Sequence, residues 1–214
     1  MLAVVVLLLV FLGGSSKGGN AASSSDVRTP GFQFKDIGVR VFTTGPTTTQ
    51  DPKAKPDLQK ANQAAGPAVT NAKLMLHQYF TQAFLVPANW TSGSYDAAFT
   101  NFSAAAKAQA QQHLAVLTAG PNAGTLFTSI KPAKASLRTR VLLDAKNRPY
   151  AVACDTFFVA TATKKSGGSA SLVSTGSFTL QRVGNTWQIV SFKVKRTDQG
   201  VAATSTAAPS GSPS

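Results

Sequence analysis

Residues 174–196, STGSFTLQRVGNTWQIVSFKVKR, constrain the fold more sharply than any other stretch of the chain. Two apolar-rich runs meet at Gly184 and Asn185, residue types that accept the unusual backbone angles of a two-residue turn, so the stretch predicts a β-hairpin. The turn fixes the register. Pairing outward from it sets Arg182 opposite Trp187, Leu180 opposite Ile189 and Phe178 opposite Ser191 on one face. The other face pairs Thr179 with Val190, Ser177 with Phe192 and Thr175 with Val194. Both faces then carry large apolar side chains, whereas a ribbon with one wet face alternates cleanly. The pattern therefore predicts a cover on each side.

The remaining chain, 214 residues in all, suffices for one domain and its tails. Its 21 Lys and Arg face 8 acids, all of them Asp, for a net charge of +13. Such a balance suits anionic lipid, nucleic acid or acidic polymers alike. The cations from Lys131 to Arg196 fall singly or in pairs on predicted strands and turns. No recognition motif accompanies them, so specific nucleic-acid binding is not expected. Cys154 is alone, which excludes an intramolecular disulfide and a multi-cysteine metal site. In its β-type run it reads as a small buried apolar residue.

The chain opens on an uncharged apolar run, residues 2–12, LAVVVLLLVFL. Its 11 residues fall short of the roughly 20 that a bilayer-spanning helix needs. The run matches the length of a signal-peptide apolar region but lacks a basic segment before it. It reads as part of a signal anchor occupying residues 1–12, placing the domain outside the cytoplasm on a single-pass tether, or alternatively as a cleaved signal on a secreted protein. Residues 13–30 have the Gly/Ser-rich composition of a flexible tether.

Within residues 31–66, the segment 31–42 predicts an extra N-terminal strand or hairpin, with a phase change across Asp36 to Gly38 that a bulge would explain. Residues 43–60 read as a surface connection. From Pro67 the period becomes helical, with Val69, Ala72, Leu76, Tyr79, Phe80 and Ala83 on one stripe that stops before Pro87. Ser94 is placed to cap a second helix bearing Tyr95, Phe99 and Phe102, and Ser103 a third that runs to about Thr118. Alternating runs at 136–143 and 150–163 then lead into the hairpin. Helices followed by a meander predict an α+β domain over 67–198, with three N-terminal helices packed on an antiparallel sheet of about four strands. The Ala/Ser/Thr/Pro-rich tail, 199–214, cannot build a core.

Residues 86–120, VPANWTSGSYDAAFTNFSAAAKAQAQQHLAVLTAG, with 141–162 and 175–196, resemble the nuclear transport factor 2-like (cystatin-like) superfamily. In particular they are similar to actinobacterial mammalian-cell-entry-associated membrane proteins. The closing GNTWQI, residues 184–189, carries the final-hairpin pattern of glycine, tryptophan and isoleucine. The resemblance covers about residues 67–196. It implies a cone-shaped α+β fold with a curved sheet, and a membrane-anchored domain outside the cell. Function does not follow from the fold, because it hosts enzymes, binding modules and assembly parts. Segment 31–42 lies outside the resemblance and is the best candidate to cover the hairpin's second face.

Enzymes of that superfamily place a carboxylate or histidine in an apolar cone, usually with a tyrosine donor. Asp155 shares a strand face with Phe157 and Val159, so it is the one catalytic candidate if that face lines the cone. The plainer expectation is an ion pair with Arg138 or Arg140. His77 lies off the centre of the first helix's stripe, and His113 falls near the end of the third helix. Tyr79, Trp90, Tyr95, Asp155 and Trp187 form the candidate ligand-binding set, although large aromatics here also suit a plain core. Val190, Phe192 and Val194 are the candidate interface. Two distant histidines and one cysteine give no metal-ligand spacing, and no cofactor motif is present. The first functional expectation is a non-enzymatic, membrane-tethered extracytoplasmic domain making protein contacts in an envelope assembly of transport or secretion type, by partner proteins or self-association. The alternative is a small-molecule binder or an isomerase- or dehydratase-like enzyme using the cone cavity. The basic surface adds a third option, docking on anionic lipid or cell-wall polymer.

Overall fold

The computed structural model describes residues 31–43 and 58–200, and the apolar run, the tether and most of the predicted tail lie outside them. Hairpin pairing organises the described chain. Four strands, β2 (Phe127–Leu143), β3 (Pro149–Lys164), β4 (Ser169–Val183) and β5 (Thr186–Gln199), form an antiparallel meander. A fifth, β1 (Lys35–Thr43), joins it parallel to β2, so the sheet is mixed, with order β1-β2-β3-β4-β5. In the last hairpin the left-handed angle falls on Gly184 alone among the two turn residues, with φ 60°, as in a type II′ turn.

The register departs from a regular hairpin at one residue. Arg182 pairs with Trp187 and Leu180 with Ile189 as the turn dictates, but Thr179 then meets Ser191 and Phe178 meets Phe192. Val190 is the extra residue of a β-bulge. Its insertion moves Phe192 and Val194 to the face of Phe178 and Leu180, and sends Ser191, Lys193 and Lys195 to the other. The apparent two-faced ribbon is thus one apolar face whose phase changes midway. Segment 31–42 does not cover the hairpin either, because β1 lies along β2 at the sheet edge opposite β5. Its predicted phase change is real: the register shifts between Asp36 and Val39, and Gly38 takes φ 142°.

The helices differ from three regular rods. Helix α1 (Leu58–Phe80) begins nine residues before Pro67 and contains that proline. Buried Ala61, Ala65, Ala68, Ala72, Leu76 and Tyr79 continue one stripe through it, and alanines carry little apolar signal in a sequence. Proline leaves a carbonyl of the preceding turn without its N–H, and beside it Thr70 Oγ1 donates to the Gly66 carbonyl at 3.2 Å. The chain continues as a wide π turn, Thr81–Leu85. Pro87 starts a helix as well as ending one, for it is the first residue of α2 (Pro87–Ser92), closed by Gly93 at φ 72°. Ser94 makes no cap; Tyr95 precedes a 3-10 turn at Asp96–Phe99. Ser103 does cap α3 (Ala104–Gln111), accepting from the Ala106 N–H at 3.3 Å. That helix breaks before His113, and short α4 (Leu114–Leu117) and α5 (Ala123–Leu126) follow. Strand β2 also begins earlier than its alternation suggests, because Pro132 sits beside a bulge where β1 has not yet joined and the strand is an edge.

The core lies between the helices and one sheet face. Tyr79, Phe80 and Phe84 meet Phe158 and Phe178 of the sheet in stacked, tilted and edge-on contacts, with ring centroids 4.8–6.1 Å apart. Phe32 and Phe34 extend this layer, Phe32 stacking on His77 while the His77 Nε2–H donates to the Phe32 carbonyl at 2.9 Å. Rings pack in the layer between the helices and this sheet face, where the alternative reading places a cone cavity.

Candidate functional site

The sheet's second face takes its residues by simple alternation. With Leu137, Thr139 and Val141 buried on β2 and Cys154, Thr156 and Phe158 on β3, the intervening residues must point away from the helices. That open face receives Lys35 and Arg40 from β1, Lys131, Lys134, Arg138 and Arg140 from β2, and Lys193 and Lys195 from β5. Asp155 of β3 is the one carboxylate among them. Between the flanking cations, β4 places Thr175, Ser177 and Thr179, a stripe of hydroxyls. Phe157, Val159 and Val173 lie half-buried among them, and Phe42, Leu142 and Ala153 add an apolar end to the face, with Phe42 exposed; Lys134 Nζ lies 5.6 Å from the Phe157 ring centre.

Electrostatics follow from where the acids sit. Asp36, Asp96, Asp144 and Asp198 pair with Lys73, Lys107, Arg148 and Arg196 away from this face. Asp155 pairs with Arg140 at 2.8 Å, both side chains 40% exposed. Asp155 thus lies on the face opposite the helices, in the ion pair that the plainer expectation describes. Eight cations against one carboxylate leave a strongly positive surface, and Arg40 lies directly across from Arg140. Asp155 compensates Arg140 in that pair, and the remaining cations of the face attract anions.

The other predicted ligand residues are not assembled into a site. Tyr79 is buried on the helical side, and its hydroxyl donates to the Leu117 carbonyl at 2.5 Å; burial pushes the phenol well above its usual range. Tyr95 donates to the Gly120 carbonyl at 2.8 Å, and burial pushes it up to about 12. Trp90 is buried on α2, and its indole N–H has no partner among the described residues. Trp187 stands apart at the hairpin end, half-buried beside Asn71 and Arg182 in a shallow cleft of about 290 Å³. Of the predicted interface, Phe192 and Val194 pack partly against the core, Phe192 5.9 Å from the Phe102 ring, while Val190 occupies the bulge. His113 is exposed ahead of α4.

Arg196 escaped the sequence reading. Its guanidinium, with the side chain only 9% exposed, donates to the carbonyls of Ala115, Thr118 and Ala119, pairs with Asp198 at 2.9 Å and lies over the Phe84 ring. With the bulge recognised, the spacing Phe192, Val194, Arg196 would have placed it inward. Together Arg196, Tyr79 and Tyr95 tie the segment 115–120 to the sheet and to α1.

Chemically the open face can pair with anions and donate hydrogen bonds. Among the described residues no group of three or more His, Cys, Asp or Glu could hold a metal, and no helix is long and apolar enough to cross a membrane. No family model, curated protein or solved structure matches the chain.

Proposed function

We propose that this chain is a non-enzymatic domain, tethered outside the cytoplasm by its apolar N-terminal segment, that docks within an envelope assembly through its open sheet face. The observation that carries the reading is the charge distribution: among the described residues, eight cations and one paired carboxylate share the face that no helix covers. The ring-filled interior and the outward ion pair of Asp155 support a docking role over cavity chemistry. The helices-then-sheet arrangement is compatible with a nuclear transport factor 2-like cone, and the apolar run with its Gly/Ser tether supports membrane attachment.

A photoreactive residue at Ser177, in the middle of the open face, tests this in cells making the full chain. Crosslinks to envelope components are expected from position 177 and not from Gln63 on the exposed side of α1. Crosslinks from position 63 alone would overturn the assignment.

A further inference from the structure

We infer that the open sheet face rests on a bilayer surface, its cations matched to the headgroups of anionic phospholipids. This rests on the docking role above and names its partner. Three observations carry it. The cations are spread across the whole width of the sheet, from Lys35 and Arg40 on β1 to Lys193 and Lys195 on β5. Five strands at about 4.8 Å spacing make that width about 20 Å, the dimension of a surface and not of a pocket. A discrete anion would instead be gripped by groups converging on one point.

The second observation is the kind of group between the cations. Thr175, Ser177 and Thr179 offer hydroxyls to phosphate oxygens, and Arg40 stands at the register position across from Arg140, whose own ion pair is with Asp155 on the far side. Arg40 is a guanidinium to which a headgroup phosphate would bind through charge-assisted, bidentate hydrogen bonds. The third is proximity. The uncharged apolar run 2–12 lies about twenty residues ahead of β1 in sequence, joined by Gly/Ser-rich chain, so a bilayer holding that run lies within reach of the face. A negatively charged leaflet then attracts nearby Lys and Arg over about one Debye length.

The test compares the full chain on phosphatidylcholine vesicles with and without phosphatidylglycerol, reading the partition coefficient by flotation. The apolar run contributes equally on both lipids, so the ratio of the two coefficients isolates the charge-dependent part, which the variants then divide between the face and the rest of the chain. Wild-type protein should prefer the anionic vesicles, with the preference collapsing in high salt. Lys193→Glu with Lys195→Glu should lower the ratio by about tenfold or more. The same charge change at Lys146 and Lys165, in the turns, should leave it near wild type; Lys193→Gln with Lys195→Gln serves if the reversal fails to fold. An equal fall for both pairs, or no preference for anionic vesicles, would overturn the lipid assignment. Polyglutamate separates the two levels: if the chain ignores vesicles but binds this acidic polypeptide through Lys193 and Lys195, the lipid assignment falls and docking stands. If it binds neither, both fall.

Discussion

Arg196 holds the two halves of the molecule together at a single side chain. It projects from the last strand into the carbonyls that end the helical half, of which those of buried Thr118 and Ala119 depend on it most. Arg196→Ala should cost about 3 kcal/mol in chemical denaturation, because it removes several charge-assisted bonds and strands their acceptors. Arg196→Lys should recover only part, since an ammonium lacks the planar fork that reaches several carbonyls at once. Cys154 makes a second residue-scale prediction. Burial pushes its thiol up to about 12, so it should resist alkylation at mildly alkaline pH until the protein unfolds. The sign of the pH effect follows: a thiol whose folded pKa exceeds its unfolded one gives full stability at neutral pH. That stability falls as the pH rises past the ordinary thiol range towards 12, and Tyr95 acts in the same direction. A denaturation midpoint unchanged between pH 8 and pH 11 would contradict this.

At the scale of elements, the Val190 bulge decides which side chains belong to the core. Deleting Val190 should leave Leu180 opposite Ile189 and Phe178 opposite Phe192 in a regular pleat, at a loss below about 2 kcal/mol. Inserting an alanine between Ser191 and Phe192 should instead turn Phe192 and Val194 outward and cost about 3 kcal/mol or more. Urea titration of the two variants checks the order, and a larger loss for the deletion would contradict the pairing. The same bulge marks a limit of sequence reading. Turn, strands and meander were legible from Gly184-Asn185 and from alternation, but a bulge away from a glycine leaves only a phase change, which mimics a second apolar face. The early start of α1 was hidden by its alanines and by Pro67, and α2 by a proline that both stops and starts a helix. Ser103 was legible because its side chain caps through local geometry.

For the whole molecule, packing of the helices on one sheet face followed from element order, whereas the open second face did not, because the hairpin's phase change predicts a cover there. Asp155 could be assigned to the strand face of Phe157 and Val159 by alternation, but nothing local says which face the helices will take. The cations looked dispersed along the chain for the same reason: β1, β2 and β5 are far apart in sequence and meet only through sheet order. Their collection on one uncovered surface is the central claim, and charge-selective thiol labelling tests it most directly. Native Cys154 is buried, so a single cysteine placed by Thr175→Cys, across from Lys195, reports on the face alone. It should react with an anionic thiol reagent about tenfold faster than with a cationic analogue at low salt, with the ratio approaching that of Gln63→Cys as salt rises. A cysteine at position 175 as unreactive as Cys154, or indifferent to reagent charge, would contradict an open cationic face.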